Sequence, residues 1–316
     1  MKIKIEKAYK ADWEHVCEAE MIKLAIAKTN NLQTAYPKVK EIIHSTWECG
    51  KGDNHIWIAN SHGERVILIT ETAKPIKTTK KRIAFRMNDT LTVFTLGKTA
   101  NAKIALPTEK IVQTYHYSRE QFEIAQNKTS MKEFFGADAK VCMDCPFAVS
   151  NGAKLTACYT HKMNQYSGFL SSLRSIGSLT EWNDIPMLND DIIADIIAMC
   201  ENRYVRFGTY GEPSLLPIAI VESICNVASV WTGYTHQWRK LPEYAPYFMA
   251  STHDVDQEYI ANLIGYRSFV ASKTIYESMI SCPASAEQNY RSHCSKCGLC
   301  SGTNGKGKKS VVILEH

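Results

Sequence analysis

The sequence lacks the features of membrane-spanning, exported and repetitive proteins. It has no run of about 18 apolar residues, the length that a membrane-spanning helix requires. Its first residues, MKIKIEKAYK, alternate charged and apolar side chains and contain no apolar core, so we expect no secretory signal. No internal repeat of roughly 20–50 residues and no low-complexity segment occurs either. These absences predict a globular protein that does not enter the membrane and that lies in the cytoplasm.

A strong charge of one sign is also missing. The chain has 37 Lys and Arg residues against 32 Asp and Glu residues, a formal net charge of +5. So small an excess permits contact with nucleic acid but does not argue for it. One basic stretch, from Lys74 to Arg86, contains no acidic residue. It is typical either of a nucleic-acid contact surface or of a solvated loop that leads into a strand.

Cysteine, in contrast, is abundant, with 11 residues in the chain. A reducing compartment disfavours structural disulfides, so clustered cysteines there indicate metal or redox chemistry. Cys17, Cys200 and Cys225 lie on the apolar faces of predicted helices and are expected in the core. Cys49 lies in a polar turn and has no assigned role. The seven remaining cysteines form two groups.

The patterning of apolar residues predicts a mixed α/β fold. Residues 1–50 are expected to be mainly helical, with one helix at 11–28, and residues 55–106 to form short antiparallel strands. From about residue 130 onward, strands and helices alternate, which favours parallel units with right-handed crossovers. The predicted strands there are 204–209, 230–234, 247–251 and 267–271, and the predicted helices are 188–201, 214–228 and 256–264.

These elements together predict three regions. Residues 1–130 form an N-terminal helical and antiparallel β appendage, and residues 131–280 form a partial parallel β/α (TIM-like) barrel. Residues 281–316 form a cysteine-rich C-terminal segment that binds metal. Side chains at the carboxyl ends of parallel strands converge in such folds.

Polar residues follow three successive strands of the predicted barrel. Gly211 and Glu212 come after the first of these strands, Tyr234 and His236 after the second, and His253 after the third. We therefore predict a shared pocket at this edge of the sheet.

The C-terminal cysteine group is typical of a metal centre. Cys294, Cys297 and Cys300 form the motif C-x2-C-x2-C, in which each thiolate can bind a different iron of one [4Fe–4S] cube. Cys282 is the natural fourth ligand. Structural Zn, which also takes four thiolates, is the alternative.

The second group consists of Cys142, Cys145 and Cys158, spaced as C-x2-C-x12-C. Three thiolates can hold a [4Fe–4S] cluster with one iron left open for a substrate or cofactor. Alternatively His161, one helical turn beyond Cys158, completes a Cys3His zinc site. The spacing does not separate these two interpretations.

These residues resemble the radical S-adenosylmethionine (radical SAM) superfamily. The three-cysteine group precedes a β/α region, and the sequence YGEPSLL from Tyr210 onward is similar to the superfamily's Gly-Gly-Glu-Pro motif. The cysteine-rich C-terminal segment is similar to its auxiliary cluster domains. Two details differ: the superfamily's cluster motif is C-x3-C-x2-C, and Tyr210 stands at the position of the first motif glycine.

The chain is also similar to a group of uncharacterised phage proteins. Those proteins have a cysteine pair, a Cys-Tyr dipeptide, a strand that ends in Gly-Asp/Glu, and a C-terminal cysteine triplet. They share a Tyr-Thr-x-x-Trp loop, which here runs from Tyr234 to Trp238. The resemblance covers about residues 140–305.

The resemblance implies an iron–sulfur enzyme that binds S-adenosylmethionine at the open iron of a [4Fe–4S] cluster. The cluster ligands would be Cys142, Cys145 and Cys158, and Gly211 with Glu212 would bind the cofactor's amino group. The residues expected to line the rest of the pocket are Tyr234, His236 and His253.

The alternative hypothesis is a non-enzymatic module in which Zn or Fe–S centres stabilise the fold. Its nucleic-acid contact surface would be the basic stretch from Lys74 to Arg86. If the chain is phage-encoded, the compartment is the host cytoplasm. The sequence predicts neither the substrate nor the oligomeric state.

Overall fold

The computed structural model describes residues 81–314 and, before them, the backbone of four strands. The chain divides into two compact units, Met1–Ile76 and Lys77–His316. In the described part of the chain, no helix is both long enough and apolar enough to cross a lipid bilayer.

The first unit contains an antiparallel sheet with the strand order β1-β4-β3-β2. Its strands are β1 Lys2–Lys7, β2 Trp47–Lys51, β3 His55–Asn60 and β4 Arg65–Glu71. The predicted strands near residues 55 and 65 are confirmed. Cys49 pairs with Ile58 inside this sheet, so its assignment to a polar turn is wrong. The predicted helix at 11–28 lies outside the described residues.

The second unit begins with a mixed sheet of strand order β5-β6-β7-β8-β9. Its strands are β5 Arg82–Met87, β6 Thr90–Lys98, β7 Lys110–Ser118, β8 Tyr204–Tyr210 and β9 Val230–Thr232. Pairing is antiparallel from β5 to β7 and parallel from β7 to β9. The strands β5 to β7 therefore share a sheet with β8, and this unit starts at Lys77, ahead of the boundary at 130 expected from the sequence.

A second sheet of the same unit is parallel throughout, with the order β10-β11-β12-β14-β13. Its strands are β10 Tyr234–Thr235, β11 Met249–Thr252, β12 Ser268–Ser272, β13 Ile280–Ser281 and β14 Val311–Leu314. Gly233 alone separates β9 from β10, so the parallel series continues from one sheet into the other. The mixed α/β class is thus confirmed, and the closure of these strands into a partial barrel stays a prediction.

Helices connect most of the parallel strands. Within residues 81–314 they are α1 Arg119–Ala125, α2 Met131–Gly136, α3 Ala139–Cys142, α4 Met163–Gly177, α5 Asp190–Cys200, α6 Ile218–Val227, α7 Val255–Leu263 and α8 Cys294–Cys297. Short 3-10 turns occur at Val149–Asn151, Trp182–Asp184, Pro213–Leu215, Pro242–Tyr244, Ala286–Gln288 and Gly302–Asn304. The helix α5 begins where the sequence predicts, because the Asn189 side chain accepts the N–H of Ile192 at 3.0 Å.

One hydrophobic core lies between the mixed sheet and the helices α5 and α6. Phe85, Phe94 and Phe207 of the sheet are buried in it. Cys200 on α5 and Cys225 on α6 are also buried there, which confirms their prediction as core residues.

A second core is mainly aromatic and fixes the end of β8. The Tyr210 ring lies 4.9 Å from that of Phe169 and 5.5 Å from that of Tyr117, measured between centroids. The Tyr210 hydroxyl accepts a hydrogen bond of 2.6 Å from Gln121. Aromatic contacts of this kind add about 0.5–1.5 kcal/mol each beyond area burial. They hold the strand end from which Gly211 and Glu212 follow.

The imidazole of His116 on β7 is fully buried and predicts a loss of stability in acid. Burial lowers the pKa of His116 from 6.5 to about 3, and the ring's Nδ1 lies 3.0 Å from Thr92 Oγ1. The folded state therefore keeps this ring neutral, so its contribution to stability is present above pH 6.5 and lost as the pH falls toward 3. Replacing His116 by Asn should reduce the drop in unfolding free energy between pH 7 and pH 4 by about 3 kcal/mol. Urea titrations at the two pH values measure that drop.

Thr92→Val is the control for this prediction. It removes the hydroxyl partner but keeps the titrating ring, so the pH dependence of the unfolding free energy should persist. An equal acid-induced drop in His116→Asn and in the unsubstituted protein would contradict the assignment to His116.

Candidate metal centres and the adjoining pocket

The first cysteine group is built on the segment that follows β7. Cys142 ends the helix α3, and the N–H of Cys145 donates to the carbonyl of Cys142 at 3.0 Å, which closes a tight turn. The Asp138 carboxylate accepts the backbone N–H groups of Val149 and Ser150, each at 3.1 Å. Asp138 thereby fixes the loop that carries two of the three cysteines.

The three thiols of this group lie near one another. Burial raises the pKa of the Cys142 thiol well above its usual range, and the Cys145 and Cys158 sulfurs raise it further. Asp138 and Glu212 act on the Cys142 pKa in the same direction. Without a bound cation these thiols are protonated, and a metal that coordinates them displaces their protons.

These three thiols are not arranged to hold a single metal ion, and the same is true of the C-terminal cysteines. Among residues 81–314, no group of three or more His, Cys, Asp or Glu side chains is arranged to hold a metal ion. In a [4Fe–4S] cube each thiolate binds a different iron, so its sulfurs lie farther apart than the ligands of a single ion. A set of sulfur donors also suits iron–sulfur clusters or zinc better than a hard cation.

His161 faces the aromatic core. Its ring centroid lies 3.9 Å from that of Phe135, and its Nδ1 lies 3.1 Å from the carbonyl oxygen of Leu155. These contacts account for the burial of the ring. A hydrogen bond from Nδ1 to a carbonyl is also common in metal-binding histidines, so the three-thiolate cluster and the Cys3His zinc site both stay open.

Glu212 joins the first cysteine group to two of the loops that follow parallel strands. Its backbone N–H donates to the carbonyl of Val141, next to Cys142, at 2.7 Å. One carboxylate oxygen accepts the N–H of His236 at 3.0 Å. The other accepts the N–H of Ser214 at 3.2 Å and its hydroxyl at 2.9 Å.

The Glu212 carboxylate is buried yet well supplied with donors. Burial raises the pKa of Glu212, and hydrogen bonds from Thr235, His236 and Ser214 oppose that rise. Together these four hydrogen bonds match the roughly four acceptor positions of a carboxylate. The contacts present thus assign Glu212 to holding the loops together, and its binding of a cofactor amino group stays a prediction.

Gly211 permits the close approach of β8 to β7. Its φ is +81°, and an added Cβ would lie 2.8 Å from the Cβ of His116 and 3.1 Å from the His116 carbonyl oxygen. Only glycine adopts this conformation at this spacing without strain. The residue therefore sets the position of the Glu212 backbone that follows it.

A cleft of about 320 Å³ opens beside Cys145. The Nε2 atom of His236 lies 3.8 Å from the Cys145 sulfur, and the His236 and His253 rings are 6.0 Å apart. The cleft is lined by Asp144, Pro146, His236, Trp238, Arg239, Lys240, Ser251, His253 and Gln257. The loops after β10 and β11 therefore meet the C-x2-C turn, at the sheet edge where the sequence predicts a pocket.

Several residues of the cleft were missed by sequence reasoning. Asp144 lies between the two cysteines of the C-x2-C turn and forms an ion pair of 2.5 Å with Lys240. Arg239 lies over the Trp238 ring, 3.7 Å from its centroid. Their places in the sequence could have indicated them. Asp144 stands between the predicted ligands Cys142 and Cys145, and Arg239 and Lys240 follow His236 in the same loop.

Tyr234 lies with the other cysteine group instead of the cleft. Its ring packs against that of Phe269, with centroids 4.5 Å apart and the ring planes tilted by 44°, and its hydroxyl interacts with the Cys300 thiol. Successive residues of a strand point to opposite faces. Tyr234 thus faces the C-terminal group, whereas the next residue, Thr235, faces Glu212.

The C-terminal group brings its four cysteines together. The N–H of Cys282 donates to Val312 of β14, and Cys294 begins α8. Burial raises the pKa of the Cys300 thiol, and the sulfurs of Cys294, Cys282 and Cys297 raise it further. Each of these three sulfurs therefore acts electrostatically on Cys300, and the binding of a shared centre by the four cysteines stays a prediction.

Gly302, just beyond this group, predicts a large effect on stability. Its φ is +63°, and an added Cβ would lie 2.6 Å from the carbonyl carbon and oxygen of Pro246. Because backbone cannot move aside as a flexible side chain can, Gly302→Ala should lower the free energy of unfolding by about 2–5 kcal/mol. Urea unfolding measures the change.

The control is Gly136→Ala, at the end of α2, where nothing lies within 4 Å of an added Cβ. That variant should be as stable as the unsubstituted protein or more stable by up to about 1 kcal/mol. Equal stability of the Gly302→Ala variant and this control would show that the backbone around Pro246 can move away from an added Cβ at position 302.

Of the basic stretch from Lys74 to Arg86, the structure describes only the part from Lys81 onward. Arg82 donates to Ser175 Oγ at 3.2 Å, and Arg86 donates to the carbonyls of Ile185 and Asn183, both at 3.0 Å. These two arginines bind the protein's own backbone and side chains. Lys81 and Arg82 are exposed, and contact of this stretch with nucleic acid stays a prediction.

Comparison with known proteins gives no match: no family profile fits the sequence, and no curated protein or solved structure is detectably similar. The geometry of the two cysteine groups and the cleft therefore carries the functional argument alone.

Proposed function

We propose that this protein is an iron–sulfur enzyme similar to radical SAM proteins. In this proposal Cys142, Cys145 and Cys158 hold a [4Fe–4S] cluster with one open iron, and the C-terminal group of four cysteines holds a second centre. The observation that carries the proposal is the position of the first group. Three thiols with no fourth cysteine partner lie beside a cleft formed by the loops that follow parallel strands.

A cluster with an open iron supplies a single electron to a ligand that coordinates it there. The residues of this chain do the rest. The three thiols give up their protons when they bind metal, because coordination favours the thiolate. Their neighbour His236 stays neutral at pH 7, because burial lowers the pKa of this histidine to about 4, with His253 adding to the effect.

The neutral His236 is suited to orienting a bound molecule. It can donate or accept a hydrogen bond beside the Cys145 sulfur without adding charge. Glu212 fixes the backbone of that loop through its hydrogen bond to the His236 N–H. Residues of the loops after β10 and β11 line the cleft beside Cys145, where a bound molecule would meet them.

Metal and sulfide analysis of the anaerobically purified protein tests this proposal. Two [4Fe–4S] clusters require about eight iron and about eight sulfide per chain. Adding S-adenosylmethionine should change the electron paramagnetic resonance spectrum of the reduced protein, because the cofactor coordinates the open iron. A colourless protein with stoichiometric zinc and no sulfide would overturn the proposal.

A further inference from the structure

Arg206 on β8 contacts the loop of the first cysteine group. Its Nη2 donates to the hydroxyl of Tyr159, the residue after Cys158, at 3.1 Å. Tyr204 lies on the same face of β8, because alternate residues of a strand share a face, and it packs in one cluster with Cys294. This face of β8 therefore carries Arg206 beside Tyr159 and Tyr204 beside the C-terminal group.

No carboxylate balances this guanidinium among the side chains of residues 81–314. The ion pairs of that region are Arg119–Glu123, Lys140–Asp89 and Lys240–Asp144, and Arg206 is in none of them. Burial lowers the pKa of Arg206, whereas the hydroxyls of Tyr159 and Tyr204 favour the charged form, and the net pKa is raised. The groups that act on this cation are thus tyrosine hydroxyls and the Cys294 sulfur, with no carboxylate among them.

The guanidinium of Arg206 keeps donors that no described carboxylate occupies. It has five N–H donors in a planar fork. Tyr159 Oη is the acceptor that it contacts among residues 81–314. The other donors can face a ligand, and Tyr159 is 55% exposed, so the pair is reachable from solvent.

We propose that Arg206 and Tyr159 form a binding subsite for an oxyanion of the substrate, a carboxylate or a phosphate. The fork of the guanidinium matches two oxygens of either group, and the Tyr159 hydroxyl, which accepts from Arg206, can donate its own hydrogen to the anion. The assignment to substrate rests on the proposed function, because it takes both cysteine groups as metal centres that flank the bound molecule. It specifies an acidic substrate for that site.

The test measures anion binding by the full chain, purified anaerobically with its metal centres. Inorganic phosphate and acetate are titrated separately by calorimetry at constant ionic strength, with chloride as the balancing anion. We expect one of the two to bind saturably at one site per chain, and which one it is identifies the oxyanion. Arg206→Met should weaken that binding about tenfold or more, since charge-assisted hydrogen bonds contribute about 1.5–3 kcal/mol.

Two further variants separate anion binding from simple charge compensation. Arg206→Lys keeps the charge but loses the fork, so its affinity should lie between those of the unsubstituted protein and Arg206→Met. Arg119→Met removes an exposed arginine that pairs with Glu123 and should bind the anion normally. Full recovery of affinity in Arg206→Lys would overturn bidentate recognition.

Iron and sulfide are measured on the same samples. Retention of both in Arg206→Met is expected, and their loss would assign Arg206 to the metal centre and overturn the subsite. Absence of saturable binding to the unsubstituted protein, or equal binding by Arg206→Met, would also overturn it. A protein without iron that still binds the anion through Arg206 would instead refute the proposed function alone.

Discussion

Replacing Cys297 by Ser should remove the proposed C-terminal metal centre and leave the other proposed centre intact. Cys297 ends α8, and its sulfur acts electrostatically on those of Cys282, Cys294 and Cys300, as expected if the four bind one centre. A serine hydroxyl is a poor ligand for iron or zinc compared with thiolate. The iron content should fall by about half, as expected for the loss of one of two equal clusters.

The same substitution should destabilise the fold by several kcal/mol. Metal binding supplies folding free energy directly, with apparent values of about 10–16 kcal/mol for zinc in finger peptides. The loss here is smaller, because Arg267 also holds this segment through the carbonyls of Gly302 and Lys309. Metal analysis and urea unfolding together measure both effects.

Cys200→Ala is the matched control for this prediction. Cys200 is fully buried on α5, in the core between that helix and the mixed sheet. Its replacement should leave the metal content unchanged and lower stability by about 1 kcal/mol, as for the loss of one buried sulfur-sized group. Unchanged metal content in the Cys297→Ser variant would show that this thiol is not a ligand.

Replacing Cys158 by Ala should remove the proposed first centre and leave the proposed C-terminal one. Cys158 lies between Ala157 and Tyr159, far along the chain from Cys142 and Cys145, and its sulfur is 3.0 Å from Thr160 Oγ1. With two thiolates left, a cluster loses one of its three protein ligands. About half of the iron should remain, bound in the C-terminal centre that the Cys297→Ser variant loses. Adding S-adenosylmethionine should then no longer change the electron paramagnetic resonance spectrum.

The double variant and a core control sharpen this result. Combining Cys158→Ala with Cys297→Ser should give a protein with no iron, because the two losses are independent. Cys225→Ala, on α6, should keep both centres. If Cys158→Ala alone removes all the iron, the two groups form one centre and the arrangement proposed above is wrong.

The sequence predicted those elements whose local signals agree. The helix α5 has an Asn cap, acidic residues in its first turn and an apolar stripe, and it was found within two residues at its N-terminal end. The strand β7 was missed because its sequence, KIVQTYHYS, buries polar and apolar side chains alike and so shows no alternation. Without β7, the antiparallel strands could not be connected to β8.

The candidate site shows the same limit. Convergence of the loops with Glu212, His236 and His253 followed from the parallel arrangement of the strands. Tyr234 was expected with them, yet it lies beside Cys300, because a shift of one residue along a strand moves a side chain to the opposite face. The strand β10 has only two residues, so its sequence pattern does not show which of them faces the cleft.

The position of β14 has a consequence for biosynthesis. This strand lies between β12 and β13, both of which precede it in the chain. During translation, at roughly 5–20 residues per second, the ribosome releases both neighbours before the strand that joins them. The sheet therefore cannot be completed until β14 emerges, and the four cysteines between β13 and β14 leave the ribosome before the strand that joins its neighbours.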